Sequence, residues 1–263
     1  MAAPDAAAVQ PAPDRLPPRL EWVHTGARHS AQIHAALQGG ALAVAGSPLD
    51  DDVVMAGPAG LAPELGGIVE LMQRVEREEP PERMEAVLTA DPTLAFRLLR
   101  YLNSAAFGLR VEVESFRHGL LMVGHQRLKR WLALLLVSGA QDPEARMLMG
   151  LAARRGLILE ELARDLGDET LRGEMFICGV FSLLDRLLRQ PLAQLMGSLP
   201  VPQRVQQSLL ARGPYAVHLD LVRALEDGVA ENIRHCAEAA LVSRGELNRA
   251  LLRALSTARE LDR

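Results

Sequence analysis

From Pro63 onward the chain repeats one pattern: a short amphipathic stripe, then a proline or glycine break. This punctuation constrains the fold more than any other feature. Leu65, Ile68, Val69, Met72 and Val75 recur at helical spacing within Glu64–Glu79, with acids and arginines on the opposite face. Pro80-Pro81 removes two backbone donors and ends that helix. A helix over Glu82–Ala90 turns Met84, Val87 and Leu88 inward, and Asp91-Pro92 then restarts the chain in a new direction. Junctions this close exclude a coiled coil, whose stripe runs unbroken over several heptads. They predict a mostly α, compact multi-helix domain.

Later segments keep the pattern. Ser115 can cap a helix carrying Phe116, Leu120, Leu121 and Val123, which Gly124 ends. His125–Ser138 has a strong stripe of Leu128, Trp131, Leu132, Leu135 and Leu136, with Arg127, Lys129 and Arg130 on the other face. Asp142-Pro143 opens a long helix towards Leu166-Gly167. One helix is expected over Thr170–Arg189, with Gly173 and Gly179 placed for close helix packing. Shorter helices follow over 191–197, 203–211, 215–227, 230–243 and 245–261. Aromatics make up only 3% of residues, so the core must be built from Leu, Ala, Val and Met.

Ahead of this domain, assigned to 61–263, two regions differ. Residues 1–19 are Ala/Pro-rich and read as a disordered leader. Residues 20–60 read as a short strand–helix–strand segment, with the helix over Ser30–Gln38. His24, His29 and His34 are spaced by five, which does not keep them on one helix face. Asp50-Asp51-Asp52 reads as a solvated acidic turn.

A net charge of −4 argues against nucleic acid as the main partner. Cys178 and Cys236 lack metal-ligand spacing, and Cys178 sits in an apolar run as a small core residue. No signal peptide is visible, and the longest apolar run, Trp131–Val137, falls far short of the roughly 20 residues a membrane span needs. A cytoplasmic protein without membrane attachment is expected.

The chain has no nucleophile elbow, phosphate loop, dinucleotide fingerprint, zinc-protease motif or His-Asp dipeptide. His118 and His125 flank a glycine break, but local sequence offers no third and fourth ligand. Glu144, Glu160, Glu161 and Glu174 read as ordinary solvated or paired surface acids. No catalytic, cofactor-binding or metal residue is assigned, and no cofactor is expected.

One stretch stands apart. In Asp91–Gly108, Asp91 can cap a helix whose first residue is Pro92, and Leu94, Leu98, Leu99 and Leu102 share one face. The helix runs into Asn103-Ser104, then Phe107 and Gly108: a packed corner or a contact surface. These residues, with Ser115-Phe116-Arg117-His118, Val123-Gly124 and Arg130-Trp131, resemble the HDOD domain, the non-catalytic relative of the HD phosphohydrolases. The resemblance continues through Phe176–Leu187, Leu199-Pro200 and Ser208–Leu210. It is most similar to HDOD domains that follow an EAL domain, which makes residues 20–60 a possible degenerate EAL remnant.

Membership of that family implies a non-enzymatic scaffold or regulator in bacterial signal transduction. Its partners would be other signalling proteins, in cyclic di-GMP or two-component pathways. Asp91, Pro92, Asn103, Ser104, Phe107 and Gly108, with the Arg127, Lys129 and Arg130 face, are the candidate interaction residues. With neither a His-Asp pair nor room for an EAL barrel, no enzymatic activity is expected. The alternative is a divergent metal-dependent phosphohydrolase using His118 and His125.

Overall fold

The structure, a computed structural model, describes residues 22–52, 65–102, 116–138 and 143–261. The leader expected over 1–19 lies outside the described residues. The chain divides into two compact units, Met1–Val53 and Val54–Arg263.

In the first unit, β1 (Val23–Ala27) and β2 (Ala43–Gly46) pair in parallel through α1 (Ser30–Gln38). The register sets Val23 opposite Ala43 and His24 opposite Val44. Ile33 and Ala36 turn inward from the helix and Ala27 from the strand. The acidic turn is not simply solvated, contrary to expectation. Asp50 pairs with Arg28 at 2.8 Å. Asp51 accepts from the Ser30 amide at 2.9 Å, the Ser30 hydroxyl at 2.5 Å and His29 Nδ1 at 3.1 Å. The first turn of any helix has donors without intrahelical partners, and here an acid 21 residues downstream supplies an acceptor. Partial burial pushes the Asp51 carboxyl up, but the bonds from Ser30 and His29 outweigh it and hold it below its ordinary value.

All secondary structure among the described residues of the second unit is helical. The unit opens with α2 (Gly66–Glu76), α3 (Pro81–Ala90), α4 (Pro92–Leu102) and α5 (Phe116–Val137). The helix α5 is interrupted at Gly124, where φ is 72° and ψ is 161°. That backbone region is essentially open to glycine alone, so the break expected there has a specific conformational cause.

Next come α6 (Pro143–Leu162), α7 (Glu169–Phe181) and α8 (Leu184–Leu188). The single helix expected over Thr170–Arg189 is therefore two. At the break, the Ser182 hydroxyl donates to the Gly179 carbonyl at 2.7 Å and accepts from Arg155 at 2.8 Å. A side chain thus takes up a carbonyl of the last turn. The remaining helices are α9 (Leu192–Ser198), α10 (Gln203–Leu209), α11 (Ala216–Asp227), α12 (Ala230–Ala239) and α13 (Arg244–Leu261).

The centre of this unit is α7. Every residue from Glu174 to Phe181 is buried, as expected of a helix that is apolar on all sides and enclosed by others. It packs against α5, α6 and α10. Phe176, Phe181, Leu132, Leu136, Leu157 and Leu159 are among its largest fully buried neighbours and members. The α6–α7 crossing is built on glycine. A Cβ on Gly179 would lie 2.5 Å from the Gly156 nitrogen, and one on Gly156 would lie 2.7 Å from a Val180 methyl. A smaller core of Leu221, Ala240 and Leu247 joins α11, α12 and α13. No helix among the described residues is long and apolar enough to cross a membrane.

Candidate interaction surface

The start of α4 takes the form its sequence predicts. The Leu94 amide donates to Asp91 Oδ1 at 2.9 Å, and Pro92 occupies the first helical position. Asp91 also lies against α2: a Cβ on Gly67 would come within 2.9 Å of its Oδ2. Leu94, Ala95 and Leu98 are buried, while Phe96 is 65% exposed. Asn103, Ser104, Phe107 and Gly108 lie outside the described residues.

The basic trio on α5 divides. Lys129 Nζ lies 2.7 Å from Glu76 and ties α5 to α2. Arg130 donates to Glu160 of α6 at 2.7 Å, and its guanidinium lies 4.3 Å from the centre of the Phe176 ring. Arg172 approaches the same carboxylate at 3.5 Å, so Glu160 links three helices. Burial raises the Glu160 carboxyl above its ordinary value, against the pull of Arg130 and then Arg172. Arg127 is exposed. Two of the three basic side chains therefore serve as ties between helices.

One acid expected at the surface is internal. Glu174 is 7% exposed, accepts from Arg204 at 3.0 Å and takes a short hydrogen bond from the Tyr215 hydroxyl. Burial and then the bond to Glu174 push the Tyr215 phenol up. The apolar run that follows Glu174 could have signalled this, since it buries every face of α7. Arg155, read in sequence only as part of a long helix, is 4% exposed and paired with Glu226.

Burial pushes the Cys178 thiol up to about 12, in keeping with a small core residue. Among the described residues, no group of three or more His, Cys, Asp and Glu is arranged to hold a metal. His125 Nε2 is buried without a hydrogen-bond partner among the described residues. The His118 side chain lies outside the described residues.

The HDOD domain family profile matches residues 63–196. The chain is 29% identical over 158 residues to the cyclic di-GMP phosphodiesterase CdgJ of Vibrio cholerae, covering 59% of this chain and 37% of that protein. It is 28% identical over 174 residues to the uncharacterized protein YuxH of Bacillus subtilis, covering 64% of this chain and 42% of that one. The chain thus spans less than half the length of either curated relative. No solved structure gives a significant match.

These relatives correct one expectation. The expectation of no enzymatic activity is overturned, since a relative bears the name of a phosphodiesterase. The absence of a His-Asp dipeptide from this sequence and the shortness of residues 20–60 bear on two particular metal sites, which is too narrow a ground for that conclusion.

Proposed function

The chain belongs to the HDOD domain family, and from that premise we propose that it acts in bacterial signalling through contacts with other signalling proteins. The observation that carries this reading is the family match over residues 63–196, together with a relative named for cyclic di-GMP. The pathway is cyclic di-GMP or two-component signalling, and the setting is the cytoplasm. Residues 61–263 form the working domain, and 20–60 are the remnant of an EAL domain. The contact surface includes the Asn103–Gly108 corner and the exposed Arg127. Asp91 and Pro92 fix the helix that leads to that corner.

The test is partner capture from the native bacterium with the wild type and with a folded Asn103→Ala/Phe107→Ala variant. Loss of specific partners from the variant supports the corner as the contact, and unchanged capture removes it.

The name of CdgJ favours a second reading, in which the protein takes part in cyclic di-GMP hydrolysis. Turnover of cyclic di-GMP by the purified chain, measured with and without added divalent metal, decides it. If turnover requires metal and is lost in His125→Ala, the HD-like route is supported.

A further inference from the structure

At the elbow between α2 and α3 the chain forms a cleft of about 500 Å³, walled by Arg74, Arg77, Arg83, Glu70 and Glu79 and closed at the bend by Pro80. That volume lies within the range of small-molecule sites, about 300–1,000 Å³. The wall, however, is charged where such sites are usually apolar, which selects a polar ligand.

The back of the cleft is rigid. Arg74 donates to Glu70 at 2.7 Å and to Glu79 at 3.3 Å, so both carboxylates are already committed to it. Its Nε is buried without a hydrogen-bond partner among the described residues. The turn that follows is fixed by hydrogen bonds from the Glu79 amide to the Arg74 carbonyl at 3.0 Å and from the Glu78 amide to Val75 at 3.1 Å. Pro80 and Pro81 then restrict the bend.

The front carries unspent positive charge. Arg77 is exposed and reaches Glu79 only at 4.0 Å. Arg83 has no side-chain partner among the described residues. One guanidinium comes from the end of α2 and the other from the first turn of α3, and both line the same space. A planar carboxylate is filled by one guanidinium fork. A tetrahedral phosphate presents oxygens in several planes and can take forks from two helices together.

We propose that this cleft binds a small phosphate ester, gripped by Arg77 and Arg83 against a back wall fixed by Arg74. The site stands on its own geometry and does not depend on the signalling reading. The surplus is one positive charge over the two glutamates, which suits a phosphodiester or monoester better than a polyphosphate.

The test is calorimetric titration of the whole chain at low salt with inorganic phosphate, GMP and cyclic di-GMP, and with acetate as the carboxylate control. At least one of the two esters is expected to bind with a Kd below about 1 mM, and Arg77→Ala/Arg83→Ala to weaken it about tenfold or more. Thermal scans should show the variant folded, since both side chains face solvent. If it melts early, Arg83→Gln alone is titrated in its place and judged by the same criterion. No binding of either ester, undiminished binding by the variant, or equal competition by acetate would overturn the proposal.

Discussion

Arg155 and Glu226 form a two-pronged pair that fastens α6 to α11: Arg155 Nε and Nη2 donate to the two oxygens of Glu226 at 2.8 and 2.6 Å. A third donor, Nη1, reaches Ser182 at 2.8 Å. The arginine side chain is 4% exposed and the glutamate 16%. Removing one partner of such a pair leaves the other charge buried without compensation. Glu226→Ala should therefore lower stability by about 3–5 kcal/mol. Arg155→Met/Glu226→Leu should recover much of that loss, because no charge is stranded. Urea unfolding of both variants checks this, and a loss below 1 kcal/mol in Glu226→Ala would reject it.

Gly124→Ala tests the break in α5. Among the described residues nothing lies within 4 Å of a Cβ at this position, so the cost of substitution comes from the backbone. With φ at 72° and ψ at 161°, alanine should destabilise by about 1–3 kcal/mol. Chemical denaturation reads the effect directly. A neutral result would mean that the two halves of α5 can merge into one straight helix.

Leu241 offers the opposite experiment. It ends α12 in the left-handed region at φ 56° and is 91% exposed. The turn is held by the Val242 amide on the Ala237 carbonyl at 2.9 Å and the Leu241 amide on Glu238 at 3.1 Å. Glycine suits this position better than any residue with a Cβ. Leu241→Gly should stabilise by about 0.5–1 kcal/mol, after allowing for glycine's greater freedom in the unfolded chain. The check is an upward shift of the thermal midpoint, and an unchanged or lowered midpoint would refute it.

His218 carries a pH dependence. Burial lowers its pKa, and its Nδ1 is buried without a hydrogen-bond partner among the described residues. The unfolded chain takes up a proton near pH 6.5, while the folded chain resists until a lower pH. Stability should therefore fall as pH drops below about 6.5, until the folded pKa is passed. His218→Leu should flatten that part of the curve relative to wild type. Urea midpoints for both proteins at neutral and mildly acidic pH supply the comparison, and parallel curves would show that His218 does not contribute.

What could be read in the sequence follows from which forces are local. The Asp91-Pro92 start of α4 and the Gly124 break were legible, because a cap and a positive φ are set by a residue and its near neighbours. The Ser30–Gln38 helix was legible for the same reason of spacing. The division of Thr170–Arg189 was not, because it depends on Ser182 meeting Arg155 from another helix. Lys129, Arg130 and Glu174 looked like surface charges, since helical periodicity reports a face and not what covers it. Their partners Glu76, Glu160 and Arg204 lie on other helices, beyond the reach of any local pattern. The α2–α3 cleft was hidden similarly: its arginines read as the polar face of amphipathic helices, and only the bend brings them around one space.

The glycine crossing of α6 and α7 limits how the helical unit can move. Gly179 lies directly against the backbone at Arg155 and Gly156, with Val180 and Phe176 packed against the other side of Gly156. Sliding α7 by one turn, about 5.4 Å, would set Gly179 opposite Ala152 or Glu160, where a side chain projects into the gap. The pair thus behaves as a keyed joint, free of small axial adjustments.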